Sequence, residues 1–145
     1  AVDEHRFLVI ERDNLGDDDR APRFKKLFLL DTRGAAGQGG RVAKTLLLDL
    51  LALPDPGGIG GDGDFFRLPF YTIESVHPVD ERTLLVASDN NFPGSNGRAR
   101  SRGVDRSGPL AADESELVLV RLGTPLEVDR RLLPRATTTP PAEFR

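Results

Sequence analysis

The sequence predicts an all-β fold, a propeller-like arrangement of short antiparallel strands, and three observations carry that prediction. Apolar runs of strand length recur along the chain, each bounded by charge or turn residues. Helical periodicity is scarce, and the 15 glycines and 11 prolines gather in stretches between the runs. Finally, the chain repeats itself. AVDEHRFLVIERDN (1–14) and PVDERTLLVASDNN (78–91) align without a gap and share six of fourteen residues.

The elements follow in order. Phe7–Ile10 (FLVI) and Lys26–Leu30 (KLFLL) have strand length and composition. Lys44–Leu53 (KTLLLDLLAL) suits either a short helix or a strand with a turn, because Pro54 and the glycines beyond it stop any longer element. PDPGGIGGDGD (54–64) is a loop. Phe70–His77, Thr83–Ser88 and Glu116–Leu122 are three further strands, and Pro125–Leu133 is a candidate fourth. The polar, Pro-rich tail 136–145 is expected to run extended over the surface.

The repeat continues beyond its opening match. KLFLLD (26–31) follows ERDN after eleven residues, and ELVLVR (116–121) follows SDNN after twenty-four. A unit of this kind, with variable loops on one side, suits propeller blades better than a sandwich. The expected division is an incomplete blade over 1–53, a last blade over 65–135, and the tail. Phe70–His77 precedes the second copy of the repeat, and its counterpart would lie before residue 1. The chain is therefore expected to be about two blades of a larger propeller, with an exposed strand edge.

Bulk composition bounds the function. The chain has 145 residues, 38% hydrophobic and 30% charged, which is the range of a folded domain. Its net charge is −3, and its 20 basic residues are dispersed with at most two adjacent, so no concentrated basic face for nucleic acid is expected. There is no cysteine, hence no thiol nucleophile, thiolate metal site or disulfide framework. No apolar run approaches the length of a membrane span. Asp3, Glu4, His5 and Arg6 stand where the apolar region of a signal peptide would lie.

IESVHPVDERTLLVASDNNFPGSNGR (73–98), followed by DESELVLVRL (113–122), resembles the C-terminal part of the family termed esterase-like activity of phytase. FLVIERD (7–13) and KKLFLLD (25–31) resemble its penultimate blade. The resemblance covers most of residues 1–122, and DNNFP with the following Gly97-Arg98 is its most specific part. It implies a β-propeller-like protein of extracellular or periplasmic location, rich in acidic residues and acting on small phosphate esters. One departure is that Ser75 follows Glu74 where the family pattern has glycine.

With that resemblance, the strand ends become the candidate site. Glu74 lies in the inner strand; Asp89, Asn90 and Asn91 end the next strand; Glu11, Arg12 and Asp13 end its repeat partner. Equivalent strand ends of a propeller share one face, so these groups are expected to gather at one mouth. Carboxylates and amide oxygens are hard ligands that suit Ca²⁺, which makes Glu74, Asp89, Asn90, Asn91, Glu11 and Asp13 candidate metal ligands. Calcium there would neutralise the ester and polarise its P–O bond while a metal-bound water attacks. Glu74, Asp89 and Arg98 are the candidate catalytic groups, with Arg12 and Arg98 able to clamp phosphate oxygens. The bland alternative is that Asp and Asn after strands simply cap tight turns.

Other motifs carry less. GGIGGDGDF (57–65) nearly spells a calcium-binding nonapeptide, but such motifs work in stacked tandem copies, and a flexible connector is the plainer reading. DNLGDDDR (13–20) holds four aspartates without the order of a helix-loop-helix calcium site and reads as a solvated loop. Ser75, His77 and Asp80 invite a triad reading, but no nucleophile elbow surrounds the serine. His5 belongs to the repeat's turn. The rival function is a non-catalytic module that grips an anionic ligand or protein partner through the Arg-rich loop 92–115.

Overall fold

A computed structural model describes residues 1–16, 23–60, 63–89, 91 and 115–134. Its strands are β1 (Arg6–Arg12), β2 (Lys25–Asp31), β3 (Ala43–Asp49), β4 (Thr72–Pro78), β5 (Thr83–Asp89) and β6 (Leu117–Arg121). They form two antiparallel three-stranded sheets, β1-β2-β3 and β4-β5-β6. The architecture is all-β, the sheets are not closed, and it is compatible with a piece of a propeller. The ambiguous Lys44–Leu53 segment resolves as a strand, and a β-bulge between Leu27 and Phe28 explains how its leucine run fits. Leu46 pairs with Phe28 and Leu48 with Leu27, so Leu47 is the extra residue; Leu47 and Leu48 both pack on the core while Leu46 stays half exposed.

The repeat is structural as well as textual. In the first copy the amides of Val2 and Asp3 donate to the Arg6 carbonyl at 2.8 and 3.3 Å. In the second, those of Val79 and Asp80 donate to the Thr83 carbonyl at 2.8 and 3.4 Å. The aspartate closes the turn both times: Asp3 Oδ1 accepts the His5 amide at 2.8 Å and Asp80 Oδ1 the amide of its aligned Arg82 at 2.6 Å.

The core lies between the sheets. Leu27, Ile73, Leu84, Val86 and Val120 are buried there, joined by Leu50, Leu53, Leu68 and Phe70 from the connection between β3 and β4. Each such side chain is worth about 1.5–3 kcal/mol of transfer free energy. The candidate fourth strand over Pro125–Leu133 does not form. Leu126 donates its amide to the Glu81 carbonyl at 2.6 Å and Asp129 to that of Val2 at 2.8 Å, so the segment crosses the end of the molecule. Leu126 and Val128 turn into the core along the way, and Arg130–Leu132 closes in a 3₁₀ turn. Among the described residues, no helix is long and apolar enough to cross a membrane.

Candidate functional site

β1 ends, β2 begins, β4 begins and β5 ends at the same end of the molecule, and their terminal residues form one polar mouth. Arg12, the last residue of β1, reaches across to the second sheet. Its Nη2 lies 2.9 Å from Glu74 Oε1, its Nε donates to the Ile73 carbonyl at 3.3 Å, and its Nη1 donates to the Asp13 carbonyl at 3.2 Å. Glu74 meets it for a local reason. The β4–β5 register shifts between Ile73, opposite Ser88, and Ser75, opposite Ala87, so Glu74 is the extra residue of a β-bulge. Bulges re-aim side chains out of the alternation, and this one lies where the two sheets approach. A cleft of about 600 Å³ opens there, lined by Ile10, Glu11, Arg12, Phe24, Ile73 and Glu74.

Beneath the cleft lies a lysine that the sequence reading passed over. The Lys25 side chain is fully buried, with Nζ 3.3 Å from Asp13 Oδ1 and 3.1 Å from the Tyr71 carbonyl. It joins the start of β2 to the segment entering β4, tying the two sheets together below Arg12. A signal was present: Lys25 shares its strand face with Leu27 and Leu29, which both pack on the core. A charge on the inward face of a strand needs a partner. Burial pushes the Lys25 ammonium below its usual range, against the pull of Asp13. Burial acts to raise the Asp13 carboxyl, but the amides of Phe24 and Leu15 and the Lys25 ammonium outweigh it and hold the group below the usual range. Gly16 completes this corner, because a Cβ there would overlap the Tyr71 ring.

At the end of β5, Asp89 Oδ1 accepts the Asn91 amide at 3.0 Å. Asn91 has φ 54, a left-handed conformation that asparagine tolerates, and its Nδ2 donates to Thr72 Oγ1 at 2.7 Å. Asp89 and Asn91 thus fasten the end of β5 onto the start of β4, which is the turn-capping role of such residues.

The candidate residues are therefore only partly gathered. Arg12, Asp13 and Glu74 meet at the mouth, with Asp89 and Asn91 at the neighbouring strand end. Glu11 alternates to the opposite face of its strand from Arg12 and pairs with Lys44 at 2.6 Å. Ser75 and His77 lie along β4 opposite Ala87 and Leu85, while Asp80 is engaged in its turn. Arg98, Asn90 and the Arg-rich loop over 92–114 lie outside the described residues, as do the aspartates 17–19 and the tail 136–145.

The fit to calcium can be read from the carboxylates' partners. Glu74 faces Arg12, Asp13 faces Lys25 and two amides, Glu11 faces Lys44, and Asp89 accepts an amide. Among the described residues no three acidic or histidine side chains converge on a point that could hold a metal ion. The described residues by themselves make an ion-pair network rather than a calcium shell.

Comparison with known proteins gives the family. No curated protein and no solved structure matches the chain. The family model described as esterase-like activity of phytase matches residues 1–92, a span that holds both copies of the repeat's turn, β1 to β5 and all the described residues of the mouth. It ends within DNNFP, short of Gly97-Arg98. With well over half its length so matched, and with the doubled turn-and-strand unit present in the fold, the chain belongs to the phytase-like family.

Proposed function

We propose that the chain forms part of a phosphate-ester hydrolase site at the Arg12–Glu74 cleft, acting on small phosphate esters with the assistance of calcium. The observation that carries the reading is Arg12. Its guanidinium sits at the junction of two sheets with its side chain 26% exposed, facing a carboxylate and lining an open cleft. A guanidinium fork binds phosphate oxygens bidentately, and an incoming phosphate competes with Glu74 for it. Lys25 and Asp13 below keep the fork aimed, because they tie β2 to the entry of β4.

Carboxylate and amide oxygens are the hard donors that calcium takes, and it would have to displace Arg12 from Glu74 to use them. Glu74 and Asp89, with Asn90 and Asn91, are the groups offered to it, and it would supply neutralisation of the ester's charge. Arg98 is proposed as a second clamp. The family also supports an extracellular or periplasmic setting.

The test is phosphate release from inositol hexakisphosphate by the purified chain, with calcium and with chelator, for the wild type and Arg12→Ala. The expected result is calcium-dependent release that Arg12→Ala lowers on the order of tenfold to a hundredfold. Absent release, or release indifferent to chelator, overturns the reading. Saturable ester binding without turnover would instead favour a non-catalytic ligand-binding module, which the paired state of every described mouth carboxylate also suits.

A further inference from the structure

Arg12 and Glu74 hold each other across the two sheets, but on unequal terms. Arg12 Nε donates to the Ile73 carbonyl at 3.3 Å and Nη1 to the Asp13 carbonyl at 3.2 Å. Two backbone oxygens therefore fix the guanidinium whether or not its third partner stays. Only Nη2, 2.9 Å from Glu74 Oε1, meets a charge. Glu74 has no such support. It is the extra residue of the β4 bulge, its side chain is 49% exposed, and Arg12 is that side chain's one polar partner among the described residues.

An anion that settles on Arg12 does two things. It takes Nη2 from Glu74, and it leaves that carboxylate unpaired beside a second negative charge. Like charges at short range repel as strongly as opposite charges attract. A ligand that is only an anion thus bears both costs. One that carries a cation next to its phosphate bears neither, because it exchanges a single ion pair for two. Selectivity of this kind comes from what the wrong ligand leaves unpaired as much as from what the right one touches. The walls of the cleft suit a short carbon link between the two charges. Ile10 and Phe24 line it beside the pair, and Phe24 is 39% exposed.

We infer that Glu74 selects among small phosphate esters and favours aminoalkyl phosphates, in which an ammonium group stands a short carbon chain away from the phosphate. Arg12 takes the phosphate, Glu74 takes the ammonium, and the carbon chain lies along Ile10 and Phe24. The inference rests on the reading of Arg12 as the phosphate-binding group of a hydrolase site, and it names the class of ester that the same cleft prefers. Glu74 acts here on which ester is held, and the bond-breaking step asks nothing of it.

Isothermal titration of the intact chain tests it, with 2-aminoethyl phosphate against ethyl phosphate, which has the same phosphate and carbon link but no amine. Chelator is present throughout, so that no metal ion can stand in for the ammonium. The wild type is expected to bind the amino ester about twofold to fivefold more tightly, the worth of one part-exposed ion pair. Glu74→Gln is expected to bind ethyl phosphate more tightly than the wild type does and to prefer neither ester. Glu81→Gln removes the same charge from the turn before β5, at the far end of that strand, and is expected to keep the wild-type preference. Arg12→Ala is expected to bind neither ester; Arg12→Gln serves in its place if its thermal melt falls. A wild type without preference, or a preference that Glu74→Gln keeps, overturns the inference while leaving Arg12 as the phosphate group. Binding of both esters that survives the loss of Arg12, or no binding by the wild type, overturns the hydrolase-site reading and the inference with it.

Discussion

The two sheets are built from one repeated text, yet they spend it differently. Leu27 in the first is fully buried and its aligned Leu117 in the second is 72% exposed. The turns before β1 and β5 share their backbone hydrogen bonds and the aspartate that caps them, while the strand ends diverge. Arg12 and Lys25 put cations at the end of the first sheet; Asp89 and Asn91 put a carboxylate and an amide at the end of the second. The comparison teaches that a repeat conserves backbone geometry and apolar character, while the neighbour each copy meets decides which face is buried. Strands made to be covered on both sides read as continuous apolar runs, and these do.

The largest expected effect separates Leu27 from Leu117. Leu27→Ala removes a buried side chain and should lower unfolding free energy by about 2–5 kcal/mol. Leu117→Ala, its repeat partner, should change it by no more than about 0.5 kcal/mol in dilute solution. Urea denaturation measures both. Equal losses would mean that the two faces are not used differently, and the comparison would fail.

Next in size is the clamp found only in the first sheet. Lys25→Met keeps much of the volume but leaves the Tyr71 carbonyl and part of Asp13 without a donor, and should cost about 1–3 kcal/mol by the same measurement. An unchanged midpoint would show that the two amides on Asp13 suffice and that the lysine does not join the sheets.

The smallest effect concerns acid. The Asp3 carboxyl is held low by the His5 amide and the Arg6 side chain, and that of Asp80 by the Arg82 amide and the Thr83 hydroxyl. Asp31 and Asp129 are lowered to about 2, chiefly by the side chains of Arg33 and Arg131. A carboxyl depressed in the folded state contributes stability above its unfolded value of 3.8 and loses it as pH falls towards about 2. The chain should therefore weaken across that window. Asp3→Asn and Asp80→Asn keep the turn's acceptor but remove the titration, and should flatten the profile by similar small amounts. A flattening confined to one of them would show that the two turns are not energetically alike.

The sequence by itself determined the all-β class, the repeat, five of the six strands and the turn that each copy opens with. Those properties are local: strand length, turn residues and apolar content are written within a few positions of one another. It also placed Arg12, Asp13 and Glu74 among the candidates. Tertiary structure decided the rest. Whether Lys44–Leu53 was helix or strand depended on an edge of β2 to pair with, and a bulge was needed to seat three consecutive leucines. Glu74 points at Arg12 because a second bulge lifts it out of the strand's alternation, which no spacing in the text announces. Glu11 and Arg12 are adjacent in sequence and land on opposite faces, since side chains of a strand alternate. Pro125–Leu133 had strand composition but spends Leu126 and Val128 on the core instead of on β6. Which of two apolar faces is covered is a fact about neighbours, and a sequence whose strands are apolar on both sides carries no mark of it.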